Sequence, residues 1–598
     1  MKINKKLSIS LACLLCASVF AAPLSYAIES ENDDITTNTS GSETISVHDI
    51  SSLNDELYEG NKSTSTVLFT ENEVTSDGIS LMSYEITQSL LESFQEQTTS
   101  FEYSDIDLTS FKIPTSDIDD VYTTLVLSSP KSYYLMKDNG SFKFSYSQKN
   151  GYVTYVYPEY QIDIISDDDG YSIDENKLAA VMPEIEETWS MIDKEVEQVF
   201  WYVSTSMTDA EKLIQFHNYI NFNFKYAYEE YAKPAEERTG NSLVYLLKNR
   251  TGMCQSYAMF MNYLAMQVGL KTAFVTSYDQ NGKPYHMWNL IKAESYASDH
   301  EPYWYHLDST WDDTLNDGYG VTNMKYFLLS DSEMRKSHDN ITLDGYTITY
   351  GDIGVETGTY FDGALWHDSA SPLVPFAYKW YFIKHHSGDS EPTTLYEYDP
   401  LATDGEPYKK LYSYKEKWFA DQSGATAFDN SYTGLGCING WLCFNGPKTL
   451  YAYNLHTGEL YEKVPIETGQ GYAVYSCYIG GTDLYYGIAK SEPDAYKHII
   501  EGGSIKLTNF AISESRITDG ILHIRFATDS SGDDPHDISF IIRDGDNFKA
   551  WNGTIVNKQH VAVPVTNPDD MDLYFWDDTM TPYTTYYYLN GEYRTYNE

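Results

Sequence analysis

The chain is short of positive charge. Forty Lys and Arg face 88 Asp and Glu in 598 residues, a formal net charge of -48. Such a surface repels phosphate backbones and anionic lipid, which excludes nucleic acid and anionic membranes as partners and leaves solubility as the plain meaning of the acidity. Cysteine is scarce as well. Of the six, Cys13 and Cys16 fall in the first 27 residues, leaving Cys254, Cys437, Cys443 and Cys477. Four cysteines in a chain of this length are not a disulfide scaffold. The last three cluster and allow at most one bridge, with buried thiols the default, so Cys254 stands alone. Beyond the first 27 residues there is no long apolar run and no hydrophobic C-terminal tail beside a sorting motif, so no transmembrane anchor is expected in the mature chain.

What is present first is an address. Met1 to Ala27 reads as a signal peptide: Lys2, Lys5 and Lys6, an apolar stretch from Leu7 to Ala22, then Ser25-Tyr26-Ala27 as a small-x-small cleavage site. The sequences before Cys13 and Cys16 match a lipoprotein anchor poorly. The mature protein is therefore expected to be secreted, extracellular or cell-surface associated.

The length predicts several domains. Residues 28–104 are polar and of low complexity, a linker with at most a short helix near Ser89 to Phe94. Residues 105–204 form an α/β lead-in module, in which Lys149-Asn150-Gly151 turns a hairpin and Ile185, Trp189, Ile192, Val196 and Val199 recur at helical spacing. Residues 205–355 are the candidate catalytic core. Thr208-Asp209-Ala210-Glu211 is a capping box opening a helix, and His217 near its apolar stripe is read as a core or boundary histidine. Residues 356–505 look all-β, with the Tyr-x-Tyr strands at Tyr396 and Tyr451 suggesting a weak repeat. Two or three copies cannot close a propeller, so a small stack of antiparallel sheets is expected. Residues 506–598 alternate like a β-sandwich, and Asp572 to Pro582 resembles the closing strand of immunoglobulin-like modules of secreted bacterial surface proteins.

The chemistry is concentrated between Thr251 and Asp308. In Thr251-Gly252-Met253-Cys254 a thiol opens an amphipathic helix with Tyr257, Phe260, Met261 and Leu264 on its apolar face. A helix N-terminus, with spare N–H groups and the positive end of the dipole, stabilises a thiolate. Two strands follow, Tyr285 to Ile291 and Tyr303 to Asp308, and antiparallel pairing brings His286 and Asp308 side by side. Nucleophile, base and a group that fixes the base are the requirements of acyl transfer through a thiol. Taken singly, each has a bland explanation: core cysteine, structural histidine, turn aspartate. Together they do not. His300, His306, Asp312 and Asp313 lie nearby and rank lower because none has the same strand-pairing logic.

The motifs Gly252-x-Cys254-Gln255-x-Tyr257-Ala258, His286-x-Trp288-Asn289 and Tyr305-His306-Leu307-Asp308-Ser309-Thr310-Trp311-Asp312 resemble the bacterial transglutaminase-like core of the papain-like superfamily, over about 205 to 335. The resemblance implies a multidomain α+β protein with a papain-type core and a Cys254, His286, Asp308 triad. Members of that family transfer glutamine acyl groups to amines, hydrolyse amides, or only bind. The expected function is thus thiol acyl transfer on protein or peptide amides, as peptidase or transamidase. The alternative is a surface adhesion or scaffold protein whose core only binds peptide or glycan, its aromatic β modules holding a cell-surface polymer. A C-terminal sugar hydrolase rests only on scattered carboxylates and aromatics. Eukaryotic relatives use calcium; no stretch has the spacing of a calcium loop, so neither metal nor cofactor is expected.

Overall fold

The computed structural model describes residues 66–67, 87–165, 172–294, 302–313 and 322–384, apart from residues 201, 204–206, 235–236, 344, 370 and 377, and then strands with intervening gaps from 392 to 595. The expected signal peptide, and the linker up to residue 86 save 66–67, lie outside the described residues. The chain divides into two compact units. One runs to Ile479 and includes Tyr485–Ser504; the other contains Gly480–Leu484 and Ile505–Glu598.

The first unit is built around the helix Cys254–Gln267. Eleven of its residues are buried, among them Gln255, Ser256 and Asn262. The expectation of an amphipathic helix is corrected here: three of its polar residues are also inside. Asn262 Nδ2 donates to Ser128 Oγ at 3.1 Å and Thr272 Oγ1 donates to Asn262 Oδ1 at 2.5 Å, so the amide is satisfied without water. Against this helix lies a five-stranded antiparallel sheet in the order Thr66–Val67, Lys271–Tyr278, Pro284–Glu294, Pro302–Leu307 and Phe327–Leu329. Its central register pairs Asn289 with Leu307 and Ser277 with His286.

Around that centre the local signals hold. The helix Asp209–Asn223 opens with the full capping box, Glu211 N donating to Thr208 Oγ1 at 3.3 Å and Thr208 N donating to Glu211 Oε2 at 2.9 Å. Strands Phe144–Lys149 and Tyr152–Pro158 meet through Asn150 and Gly151, at φ 59° and 82°, the left-handed pair that a two-residue hairpin of type I′ requires. The helix Gln88–Ser100 is longer than the short one expected in the linker, and it buries Leu90, Leu91 and Phe94. Those residues belong to one continuous apolar cluster that also takes in Tyr122, Ile185, Phe260 and Trp380. Lead-in, core and the start of the aromatic region therefore share a single hydrophobic interior, each large side chain contributing about 1.5–3 kcal/mol on burial.

Beyond residue 370 come two four-stranded antiparallel sheets in succession, spanning Val374–Phe376 to Tyr408–Tyr414 and Leu435–Ile438 to Glu459–Pro465. Trp380 pairs with Tyr398 in the first and Trp441 with Asn454 in the second, which is the structural content of the weak sequence repeat. The second unit is also β: a three-stranded sheet holding Phe510–Thr518, Ile521–Thr528 and His560–Pro564, and a five-stranded sheet that includes His536–Asp544 and Met571–Trp576. Among the described residues no helix is long and apolar enough to cross a membrane.

Candidate active site

Cys254 owes its position to two short elements and a glycine. Lys225–Tyr226 pairs in parallel with Thr251–Gly252, Tyr226 opposite Gly252, so the chain enters the helix from a fixed direction. A Cβ on Gly252 would lie 2.3 Å from Ser256 Oγ and 2.6 Å from Leu246 Cδ1; only glycine permits that approach. The N-cap residue is Met253, which offers no side-chain acceptor, whereas Thr208, Ser242 and Ser330 cap their helices with hydroxyls. The first N–H groups of the Cys254 helix are thus not taken up by a cap side chain, and their partial positive charge faces the start of the helix where the thiol sits.

The structure brings His286 and Asp308 together. Nε2 of His286 lies 2.6 Å from Asp308 Oδ2. Asp308 caps the short helix Ser309–Asp312, its Oδ1 accepting from Thr310 N at 3.0 Å and Trp311 N at 3.1 Å. Burial alone would raise this carboxyl, but the His286 imidazole, with hydrogen bonds from His286 and His338, holds it well below the usual carboxylate range. An ionised carboxylate only accepts, so Nε2 of His286 carries the proton and Nδ1 is its basic nitrogen. The ring is kept flat against indoles: Trp288 at 5.5 Å and 23°, Trp311 at 5.2 Å and 24°. Asn289, next to Trp288, ties the histidine strand to the cysteine helix by donating to Ala258 O at 3.0 Å. Cys254, His286 and Asp308 are all at most 1 % exposed.

Of the lower-ranked candidates, His300 lies outside the described residues. His306 is buried and turned elsewhere: Trp288 Nε1 donates to its Nδ1 at 2.9 Å and Asp331 Oδ1 lies 3.3 Å from its Nε2. Asp312 is paired with His217 at 3.1 Å, both fully buried, and accepts from Tyr326 N at 3.0 Å; burial, partly offset by these bonds, raises its carboxyl to about 6. Asp313 accepts from the Tyr257 hydroxyl at 2.6 Å. The other cysteines are thiols as well, but burial pushes Cys443 up to about 12 and raises Cys437 and Cys477, which keeps them protonated and inert.

Two residues were not legible in advance. The first is Tyr226, buried within electrostatic reach of the thiol: burial, then the charge of Cys254, raises its hydroxyl well above the ordinary value. Only the parallel pairing of two dipeptides puts it there, and no periodicity announces that. The second is His338, at the end of the helix Asp331–His338, with Nε2 at 3.0 Å from the same Asp308 Oδ2. Its one sequence signal is the Ser330-Asp331 helix start eight residues earlier. His286, Asp308 and His338 are also the one group among the described residues whose ligand atoms, within 4.8 Å of one another, could hold a metal ion. Their N···O separations of 2.6 and 3.0 Å are those of shared protons. Ligands at zinc distances of about 2.0–2.1 Å in a tetrahedron stand roughly 3.3 Å apart, so the group is read as hydrogen-bonded.

Residues 199–309 match the family model of the Transglutaminase-like superfamily, and the chain carries a transglutaminase-like domain there. Among solved structures, similarity extends to a TGase crystal structure at 15% identity, covering 29% of this chain and 44% of that one, TM-score 0.18. It extends also to a candidate protease from Parabacteroides distasonis at 9% identity, covering 53% and 59%, TM-score 0.17. This chain therefore spans about half the length of either. No curated protein matches the sequence.

Proposed function

We propose that the protein is a secreted acyl-transfer enzyme of transglutaminase-like type, acting on protein or peptide amides through Cys254, His286 and Asp308, as peptidase or transamidase. The observation that supports it most is the buried His286–Asp308 hydrogen bond at 2.6 Å, which leaves Nδ1 as the base. In this reading Cys254 gives its proton to His286 Nδ1 and the sulfur attacks the amide carbonyl. The imidazolium returns the proton to the departing nitrogen, leaving a thioester, and water or an amine then releases the acyl group by the reverse proton path. The oxyanion is met by the Cys254 N–H and the Tyr226 hydroxyl. Secretion rests on the leader-like Met1 to Ala27, and the C-terminal β modules, the last of them immunoglobulin-like, are proposed to hold a cell-surface polymer or glycan.

One observation favours the alternative, a scaffold that only binds peptide or glycan: Cys254 is 0 % exposed. An apolar cluster of Tyr226, Ala227 and Met253, with Tyr228 and Tyr231 packed on it, adjoins it, and a substrate has to displace part of this cover. The test is incubation with a glutamine-donor protein and a fluorescent primary amine, with C254A alongside. Label incorporation marks a transamidase, donor cleavage a peptidase, each abolished in C254A; binding with neither reaction supports the scaffold.

A further inference from the structure

The second histidine on Asp308 has no part in a three-residue mechanism, yet it is as buried as the rest of the site. Asp308 has two oxygens and four donors. Oδ1 is fixed by two backbone N–H groups of its own turn, while Oδ2 is shared by His286 at 2.6 Å and His338 at 3.0 Å. Of the two contacts on Oδ2, the one to His286 belongs to a ring that gains and loses a proton in every half-reaction. The other comes from a ring boxed in by Trp311 at 4.0 Å, Tyr326 at 4.9 Å and Trp288 at 5.0 Å, at the end of a helix held by Arg335 bonds to Asp331, Asp339 and Gly351 O.

We infer that His338 is a positioning residue: its Nε2–H holds Asp308 Oδ2 in line with His286 Nε2 throughout the proton transfers, and it acts on the thiol only through Asp308. The inference rests on the acyl-transfer reading above. The protonation state fits the role. Burial lowers the His338 imidazole to about 4 against the pull of Asp308, so at neutral pH it is an uncharged donor. The ionised Asp308 carboxylate, which only accepts, assigns the remaining proton to Nε2, and leaves Nδ1, 2.8 Å from the Ser337 hydroxyl, as an acceptor. An uncharged donor orients the carboxylate without cancelling the negative charge that stabilises the His286 imidazolium; a second cation would cancel it. The titratable groups around the cluster are His306 on the neighbouring strand, Tyr326, and Asp312 beyond Asp308, with Asp331 and Arg335 bound in turn around His306. Tyr226 lies within electrostatic reach of the thiol itself.

The experiment compares full-length wild type, H338F, which keeps a ring and loses the donor, and H338Q, whose amide nitrogen reaches to about where Nε2 stands. The readout is the pH dependence of iodoacetamide capture at Cys254, followed by peptide mass spectrometry. Wild type is expected to show a thiolate midpoint well below 8.5. H338F should move it up by about one pH unit and slow capture at pH 6.5 by about tenfold, the effect of losing one charge-assisted hydrogen bond. H338Q should restore most of the rate. A low wild-type midpoint unchanged in H338F, or equal loss in H338F and H338Q, overturns the role of His338 alone. An ordinary thiol in wild type overturns the acyl-transfer reading and this inference with it. Should H338F fail to fold, 15N-histidine spectra of the wild-type chain, assigned with H338Q, decide. A neutral ring protonated at Nε2 from pH 5 to 8 supports the role; a charged ring or an Nδ1–H tautomer overturns it.

Discussion

Asp308 and Asp312 sit four residues apart, equally buried, and are perturbed in opposite directions because one faces four donors and the other faces His217 and one backbone N–H with a second carboxylate close by. Their linkage to stability has opposite sign. Asp308, depressed in the folded state, stabilises above its unfolded value of about 3.9, and that contribution is lost as pH falls below it. Asp312, raised to about 6, costs stability when ionised, and the cost is relieved as pH falls from about 6 to about 4. D312N should therefore compare best with wild type from pH 8 down to about 6 and lose ground between about 6 and 4, as read from thermal midpoints across that range. D308N should leave the chain folded and cut acyl transfer by about three to four orders of magnitude, since an amide favours the wrong tautomer of His286; a loss under tenfold would contradict the role. At this scale Cys254, His286 and Asp308 were readable because each lies in a local motif. His338 and Tyr226 were not, because what makes them relevant is a contact across 30 residues to Asp308 in one case and a non-local strand pair in the other.

Elements place these side chains through their ends. Ser330 caps the helix that ends in His338, its Oγ accepting from Glu333 N at 3.3 Å and donating to Asp362 Oδ2 at 2.7 Å. S330A is expected to cost about 1 kcal/mol, seen as a lower denaturant midpoint, and to reduce turnover as His338 loosens. Just before it, Leu328 adopts φ 56° at a shift of register between Phe327 and Leu329; this bulge redirects the chain into the helix. At the other end of the site, G252A should lose more than the roughly 1 kcal/mol of an ordinary overpacked position, because its methyl would meet both Leu246 Cδ1 and the Ser256 hydroxyl, which is held by a 2.8 Å bond to Met253 O. Caps, turns and the strands around His286 were legible from sequence because they are set within a few residues. The bulge was not, and the Cys254 helix looked amphipathic because a sequence cannot show that Asn262 finds polar partners inside and that Gln255 is buried as well.

On the scale of the whole molecule, residues assigned in sequence to a linker, a lead-in and a core contribute to one interior. Phe94, Tyr134, Ile185, Phe260 and Trp366 are members of the same cluster. A polar stretch such as 87–104 hides its six buried residues, Leu90, Leu91, Phe94, Thr98, Phe101 and Ser104, among serines, threonines and glutamines, and composition alone places the boundary too late. Residues 205–355 expressed alone should consequently lack a cooperative melting transition, while 87–414 should melt as one unit; independent folding of the short piece would refute the shared core. That interior is what keeps the thiol, the imidazole and the carboxylate away from water. The most direct measurement of the central claim is the pH profile of iodoacetamide capture at Cys254 in the intact wild-type chain, set beside H286A. Burial scales every rate alike through the openings that admit the reagent, so the midpoint is the diagnostic quantity. A midpoint well below 8.5 that rises to the ordinary thiol value in H286A is the predicted result; a profile near 8.5 in both would contradict an activated thiol.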